Sequence, residues 1–167
     1  MSSCKKKENN TNTVPSKDSA EKRFEGEFFS FNYPEDWEIT DNEEIEKGVY
    51  YLSVEKTGFD SSGLMTIVSF NEMIDLDDLV LMNIEELQNN PVIMNLKFES
   101  ISNNVFNNIE SRASNFKFST LGLKHEGLIS AFQGTKNSYV ILKQEALEDT
   151  IKNANGFSTI ERSFETK

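Results

Sequence analysis

A single strongly patterned helix stands between two runs of strand-like segments, and that order limits the chain to an α+β architecture. Asp75 suits an N-cap, and Leu76, Leu79, Val80, Ile84 and Leu87 recur at helical spacing. Asp77 and Asp78 fall where the helix dipole favours anions, and Asn89-Asn90-Pro91 stops the run. Ahead of this helix, Phe28–Tyr33, Val49–Glu55 and Leu64–Phe70 read as strands, the last two joined as a hairpin through the turn-rich Gly58–Gly63. After it, Leu96–Ile101, Ile109–Phe118, Gly127–Gln133 and Tyr139–Lys143 read as four more. Helical spacing returns at Ala146 or Leu147, Ile151, Ala154, Phe157, Ile160 and Phe164, as one helix broken at Asn155-Gly156 or as two in succession. Strands grouped in runs with short connections predict a mainly antiparallel sheet.

The 167 residues suit one domain, and a chain of this size buries enough surface to fold without disulfides or a structural metal. Its one cysteine, Cys4, excludes an internal disulfide and every multi-cysteine zinc pattern. No apolar stretch approaches the roughly 18 residues needed to span a bilayer as a helix. A net charge of −11 argues against nucleic acid, whose phosphates repel an acidic surface.

That charge is unevenly placed. Residues 1–23 carry net +3 and almost no large apolar side chain, so they are expected to form a disordered tether, leaving −14 on a single domain at 24–167. Met1-Ser2-Ser3-Cys4, followed by three lysines and a polar linker, resembles the processed start of a bacterial lipoprotein, in which small residues precede a lipidated cysteine. The resemblance implies lipidation at Cys4 and attachment to a membrane by the acyl chains alone. The charged and apolar signal segment such a protein needs is missing from this sequence, so Met1 is expected to be an artificial or misassigned start.

In Phe29-Ser30-Phe31-Asn32-Tyr33 the aromatics alternate with small polar residues, Pro34 ends the strand, and Trp37 follows three residues later. This stretch resembles the opening F-x-F-x-Y-P-x-x-W signature of the PsbP-like family, and Ile160-Glu161-Arg162-Ser163-Phe164 resembles its closing I-x-x-S-F helix. The resemblance spans residues 24–167 and implies an αβα sandwich, a curved antiparallel sheet with helices on both faces. The family includes photosystem II extrinsic subunits, an import factor that binds a small GTPase, secretion-system adaptors and bacterial lipoproteins. Both motifs are packing signatures, which imply fold and not activity. Trp37 is expected in the core.

Residues able to carry chemistry are few. His125 is the one histidine and, flanked by Lys124 and Glu126, is expected at an exposed strand edge or loop; no catalytic residue is assigned. Nucleophile elbows and phosphate-cradling glycine loops are missing, so no cofactor is expected. Glu35, Asp36, Glu38, Asp41, Glu43, Glu44 and Glu46 are expected to form a solvated acidic loop, and Asp75, Asp77 and Asp78 to cap a helix, neither being assigned a metal. The leading expectation is a non-enzymatic, membrane-anchored protein-binding or scaffold module of the bacterial cell envelope, with unknown envelope proteins as partners. A cytosolic chaperone-like adaptor with a free Cys4 and an exposed apolar groove is the alternative. A hydrolase using carboxylates alone is a third reading, and it requires a pocket lined by two acids of raised pKa.

Overall fold

The computed structural model describes residues 20–167; Cys4 and the rest of 1–19 lie outside the described residues. Five strands precede the first helix: β1 (Glu21–Glu25), β2 (Phe29–Pro34), β3 (Trp37–Glu46), β4 (Val49–Lys56) and β5 (Leu64–Phe70). Helix α1 (Leu76–Gln88) follows, then β6 (Met94–Phe98), β7 (Ser102–Phe106), β8 (Ile109–Thr120), β9 (Leu123–Gln133) and β10 (Ser138–Ala146). A 3-10 turn at Leu147–Asp149 leads into α2 (Thr150–Ser163), and β11 (Glu165–Thr166) closes the chain.

An eight-stranded antiparallel sheet in the order β3-β4-β5-β10-β9-β8-β6, with β7 also on β8, forms the middle layer. One face is covered by α2 and a three-stranded sheet, β1-β2-β11. The other is partly covered by α1, whose Leu79, Val80 and Leu87 pack on Phe116, Phe118, Ile129 and Val140. This is the expected αβα sandwich with a mainly antiparallel sheet.

The two motif regions meet in space. Phe29, Phe31 and Phe164 are buried against one another, with the Phe29 and Phe164 rings stacked at 5.4 Å. Ser163 Oγ accepts the Asn32 N–H at 2.7 Å, which fixes the end of α2 to the backbone of β2. Trp37 is fully buried, packs edge-on to Phe157 at 5.1 Å and lies over Gly156. That close approach explains a glycine inside a helix: a Cβ on Gly156 would enter the indole ring. α2 is therefore one unbroken helix through Asn155-Gly156.

Several expectations are corrected. The first strand begins before Phe24: Glu21–Arg23 belong to β1 and pair with β2. Their polar side chains find partners on an exposed layer: Lys22 Nζ donates to the Trp37 carbonyl at 2.6 Å, and Arg23 bonds Glu25, Ser30, Asn32 and Glu165. The acidic 35–46 run is not a loop but a turn plus the ten-residue edge strand β3. Asp and Glu disfavour strands intrinsically, yet β4 supplies a ladder from Trp37 to Glu46, interrupted by irregularities at Thr40 and Ile45, and charges along the free edge discourage edge-to-edge pairing. The single strand expected at Leu96–Ile101 is two, β6 and β7, pairing in succession along one edge of β8.

The antiparallel order gathers specific connections at each pole of the sheet. One pole carries the β2–β3 turn, the β4–β5 loop, the β8–β9 turn and the β10–α2 connection, as the pairings Glu55↔Leu64, Gln144↔Leu64, Ala146↔His125 and Thr120↔Leu123 require.

Candidate functional site

The strand faces pointing away from α2 carry Tyr51 on β4, Leu64, Thr66 and Val68 on β5, and Leu142 on β10. Helix α1 lies over β8, β9 and β10, so this row is left without a helix above β3–β5. The result is an open groove of about 870 Å³. Tyr51, Val68 and Leu142 form its floor, and Met82 and Glu86 of α1 form one wall. Glu43, Ile45 and Glu46 of the acidic edge strand form the opposite rim. Ile45 and Met82 are each half-exposed at 51%. Glu43, Glu46 and Glu86 take part in no ion pair among the described residues, so the apolar floor is framed by unneutralised carboxylates.

The wall position of α1 is fixed locally. Asp75 accepts the N–H groups of Asp77 and Asp78, capping the helix as expected. Asp77 then accepts a forked pair of bonds from Arg112 of β8, at 2.5 and 3.1 Å, and the guanidinium holds its carboxyl below the usual range. That pair ties the start of α1 to β8, on the far side from β3, beside the apolar packing of Leu79, Val80 and Leu87 that seats the helix.

His125 stands at one end of the groove, in β9 between β8 and β10, and not at a sheet edge; its ring stacks on Phe118 at 4.8 Å. The reason is β8 and β9 extending past their expected ends to Thr120 and Leu123. Ser62 and Asp149 lie near this end, but they do not form a nucleophilic relay. Ser62 donates its proton to Asp149 at 2.7 Å and accepts the Ala146 N–H at 2.8 Å, so its hydroxyl is consumed in fixing the connection into α2. Ser62 and Lys152 hold the Asp149 carboxyl low, as suits an anion with two donors.

Burial pushes the Glu145 carboxyl up, against the bond it accepts from Asn153 at 2.9 Å. It faces α2, on the side of the sheet opposite the groove, so no paired-acid pocket forms around it. No group of three or more potential ligand side chains that could hold a metal occurs among the described residues. Neither does a helix long and apolar enough to cross a membrane.

The groove was not singled out from sequence. Its signal lies in the second faces of β4 and β5: Val49, Tyr51, Val68 and Phe70 are more apolar than a solvent-facing alternation requires. Cys4, the one residue assigned a modification, lies outside the described residues.

Two layers of cover on one face, one displaced helix on the other and the motif residues joined at the centre define a PsbP-like fold. The cyanobacterial PsbP (CyanoP) of Synechocystis, known from its solution structure, is 11% identical and superposes with a TM-score of 0.61 over 89% of this chain and 94% of that one. LpqN of Mycobacterium tuberculosis, a protein involved in cell envelope biogenesis, is 11% identical, with a TM-score of 0.53 over 83% of each chain. A protein of Bacteroides thetaiotaomicron is 16% identical, with a TM-score of 0.56 over 87% of this chain and 48% of that one. No family model and no curated protein matches the chain by sequence.

Proposed function

We propose that this protein is a non-catalytic binding module of the bacterial cell envelope, lipid-anchored through Cys4, whose acidic-rimmed groove takes an amphipathic segment of a partner protein. The observation that carries the reading is the groove: an apolar floor open to solvent, framed by Glu43, Glu46 and Glu86 with no ion-pair partner among the described residues. Such a surface suits a segment with apolar residues toward the sheet and Lys or Arg at its flanks. The likeness to LpqN, whose described role lies in envelope biogenesis, supports the location. Scaffolding is the expected role, since the acids, Ser62 and His125 assemble no acid–base or nucleophilic set.

Two measurements test it. Mass spectrometry of the native gene product is expected to find acyl chains on Cys4; an unmodified thiol would refute the anchor. A photo-crosslinker at Met82, in cells, is expected to capture one envelope protein. Val68→Glu should abolish that capture, and Glu43→Lys with Glu86→Lys should weaken it; capture unchanged in both variants would refute the groove. An apolar groove is also what a cytosolic adaptor of a secretion system requires, and a free Cys4 with the protein in the soluble fraction would favour that reading.

A further inference from the structure

Among the described residues, five of the twelve large apolar residues that stand exposed lie at the pole carrying the β4–β5 loop and the β8–β9 turn. Phe59, Leu121 and Ile151 are almost fully in water, at 108%, 98% and 92% of their reference exposure, and Leu123 and Leu147 are half-exposed beside them. They sit on three connections: the β4–β5 loop, the β8–β9 turn and the first turn of α2. The centres of the two hairpins are about three strand spacings apart, roughly 14 Å. Bonds from Ser62 to Asp149 and an ion pair from Lys152 to Asp60 hold the Phe59 loop against the start of α2.

Leu121 is held there at a conformational cost. With Leu121 at φ 50° and Gly122 at φ 82°, the two form the tight turn that favours Asn-Gly. Every other non-glycine residue with positive φ among the described residues is asparagine. A leucine in this conformation, touching no core, makes sense as a side chain presented outward.

The chain also enters the domain at this pole. The Ala20 carbonyl accepts the Glu35 N–H, and next to it the Asp36 carbonyl accepts the Thr57 N–H at the base of the Phe59 loop. The fifteen residues between Cys4 and Ala20 span at most roughly 50 Å, so a lipid on Cys4 and these prongs reach one bilayer together.

We infer that this pole, led by Phe59, Leu121 and Ile151, inserts into the interfacial layer of a lipid bilayer and orients the domain upright, with the groove opening to the side. The charges nearest the prongs, Lys124 and Lys152 against Asp60, Glu148 and Asp149, leave a slight negative excess, and the rest of the domain is strongly acidic. Attraction to anionic lipid is therefore not the driving term, and separate apolar prongs on loops match a fluid interface better than a shaped protein pocket. The inference shares the membrane setting of the proposed function, but the prongs bind lipid whether or not Cys4 is acylated.

The test uses the full chain coupled through Cys4 to a maleimide lipid in phosphatidylcholine vesicles. Leu121→Trp and, as a control at the opposite pole, Val105→Trp each add one reporter beside the buried Trp37. Quenching of the position-121 emission by brominated phosphatidylcholine, with none at position 105, is the expected result; equal behaviour at both positions overturns the inference. Sedimentation with vesicles, without coupling, should show about tenfold weaker partitioning for each of Phe59→Ser, Leu121→Ser and Ile151→Ser. Wild-type binding unaffected by these changes overturns it as well. A Trp at 121 that stays in water on lipid but crosslinks to an envelope protein in cells would overturn it in favour of a protein partner. An acylated Cys4 with an unquenched tip defeats this inference alone, and a free native Cys4 with a quenched tip defeats the anchor alone.

Discussion

Replacing Gly156 by Ala is expected to destabilise the protein, although the same change at an ordinary helix interior would stabilise it by about 1 kcal/mol. The sign reverses because a Cβ at this position coincides with the five-membered side of the Trp37 indole. The ring has nowhere to go. On its far side a Cβ built on Gly63 would already lie 2.9 Å from Trp37 Cη2, and Phe157 stands edge-on at 5.1 Å. Overpacking of this kind costs about 1–3 kcal/mol, and expelling a buried Trp costs about 3–5 kcal/mol. Set against the propensity gain of about 1 kcal/mol, overpacking leaves a net loss of up to about 2 kcal/mol and expulsion of the ring one of about 2–4 kcal/mol, with Tm falling by about 2–4 °C for each kcal/mol lost. Urea unfolding followed by far-ultraviolet circular dichroism measures it, because that signal survives replacement of Trp37, the one tryptophan. A second variant guards the interpretation. Trp37→Leu alone should cost about 3 kcal/mol by leaving a cavity, and adding Gly156→Ala to it should cost nothing further, because the new methyl enters that cavity. A Gly156→Ala protein as stable as wild type, or costs that simply add, would refute the packing of Trp37 on the α2 backbone.

Glu145→Gln is expected to stabilise the protein at neutral pH by about 1–2 kcal/mol: it removes a buried charge and supplies an N–H for Asn153 Oδ1, which has no partner. Because burial raises this carboxyl, its penalty is absent below the unfolded pKa and sets in as pH rises through the folded one, so the variant's advantage should vanish in acid melts. Asp77→Asn should act oppositely. Arg112 lowers the Asp77 carboxyl, so its contribution is present above the unfolded pKa and lost as pH falls through the folded one, and the variant should flatten the acid limb of the stability curve. Leu121→Asn should raise stability by about 0.5–1 kcal/mol in thermal melts while weakening vesicle binding, and a gain in both would detach the strained leucine from any role at the bilayer.

The elements legible in the sequence are those whose residues agree with their environment. Asp75 capping α1, the alternation in Phe29–Tyr33 and the packing role of Trp37 were readable because local chemistry and tertiary burial point the same way. β1 and β3 were not readable. Their Lys, Arg, Asp and Glu side chains face solvent from edge strands, where pairing to β2 and β4, not propensity, decides the conformation. Gly156 misled as a break because its reason is a partner more than a hundred residues away in sequence.

Both surfaces proposed for function share a cause for their invisibility. The groove exists because Leu79, Val80 and Leu87 pack α1 over β8, β9 and β10, with the Asp77–Arg112 pair, between residues 35 positions apart, at its start, contacts that no periodicity reports. The apolar pole exists because antiparallel connectivity brings Phe59, Leu121 and Ile151 to one end from three distant segments. Singly, each is an unremarkable exposed apolar residue in a polar turn. Together they set an axis: prongs at the pole where the chain enters the domain at Ala20, and the groove along the flank of the sheet. A partner segment lying in the groove would then be held beside the bilayer and not above it, which predicts that disabling the prongs lowers crosslinking from Met82 to a membrane-embedded partner even with Cys4 acylated. Crosslinking that survives Phe59→Ser, Leu121→Ser and Ile151→Ser combined would show that the anchor alone sets the geometry.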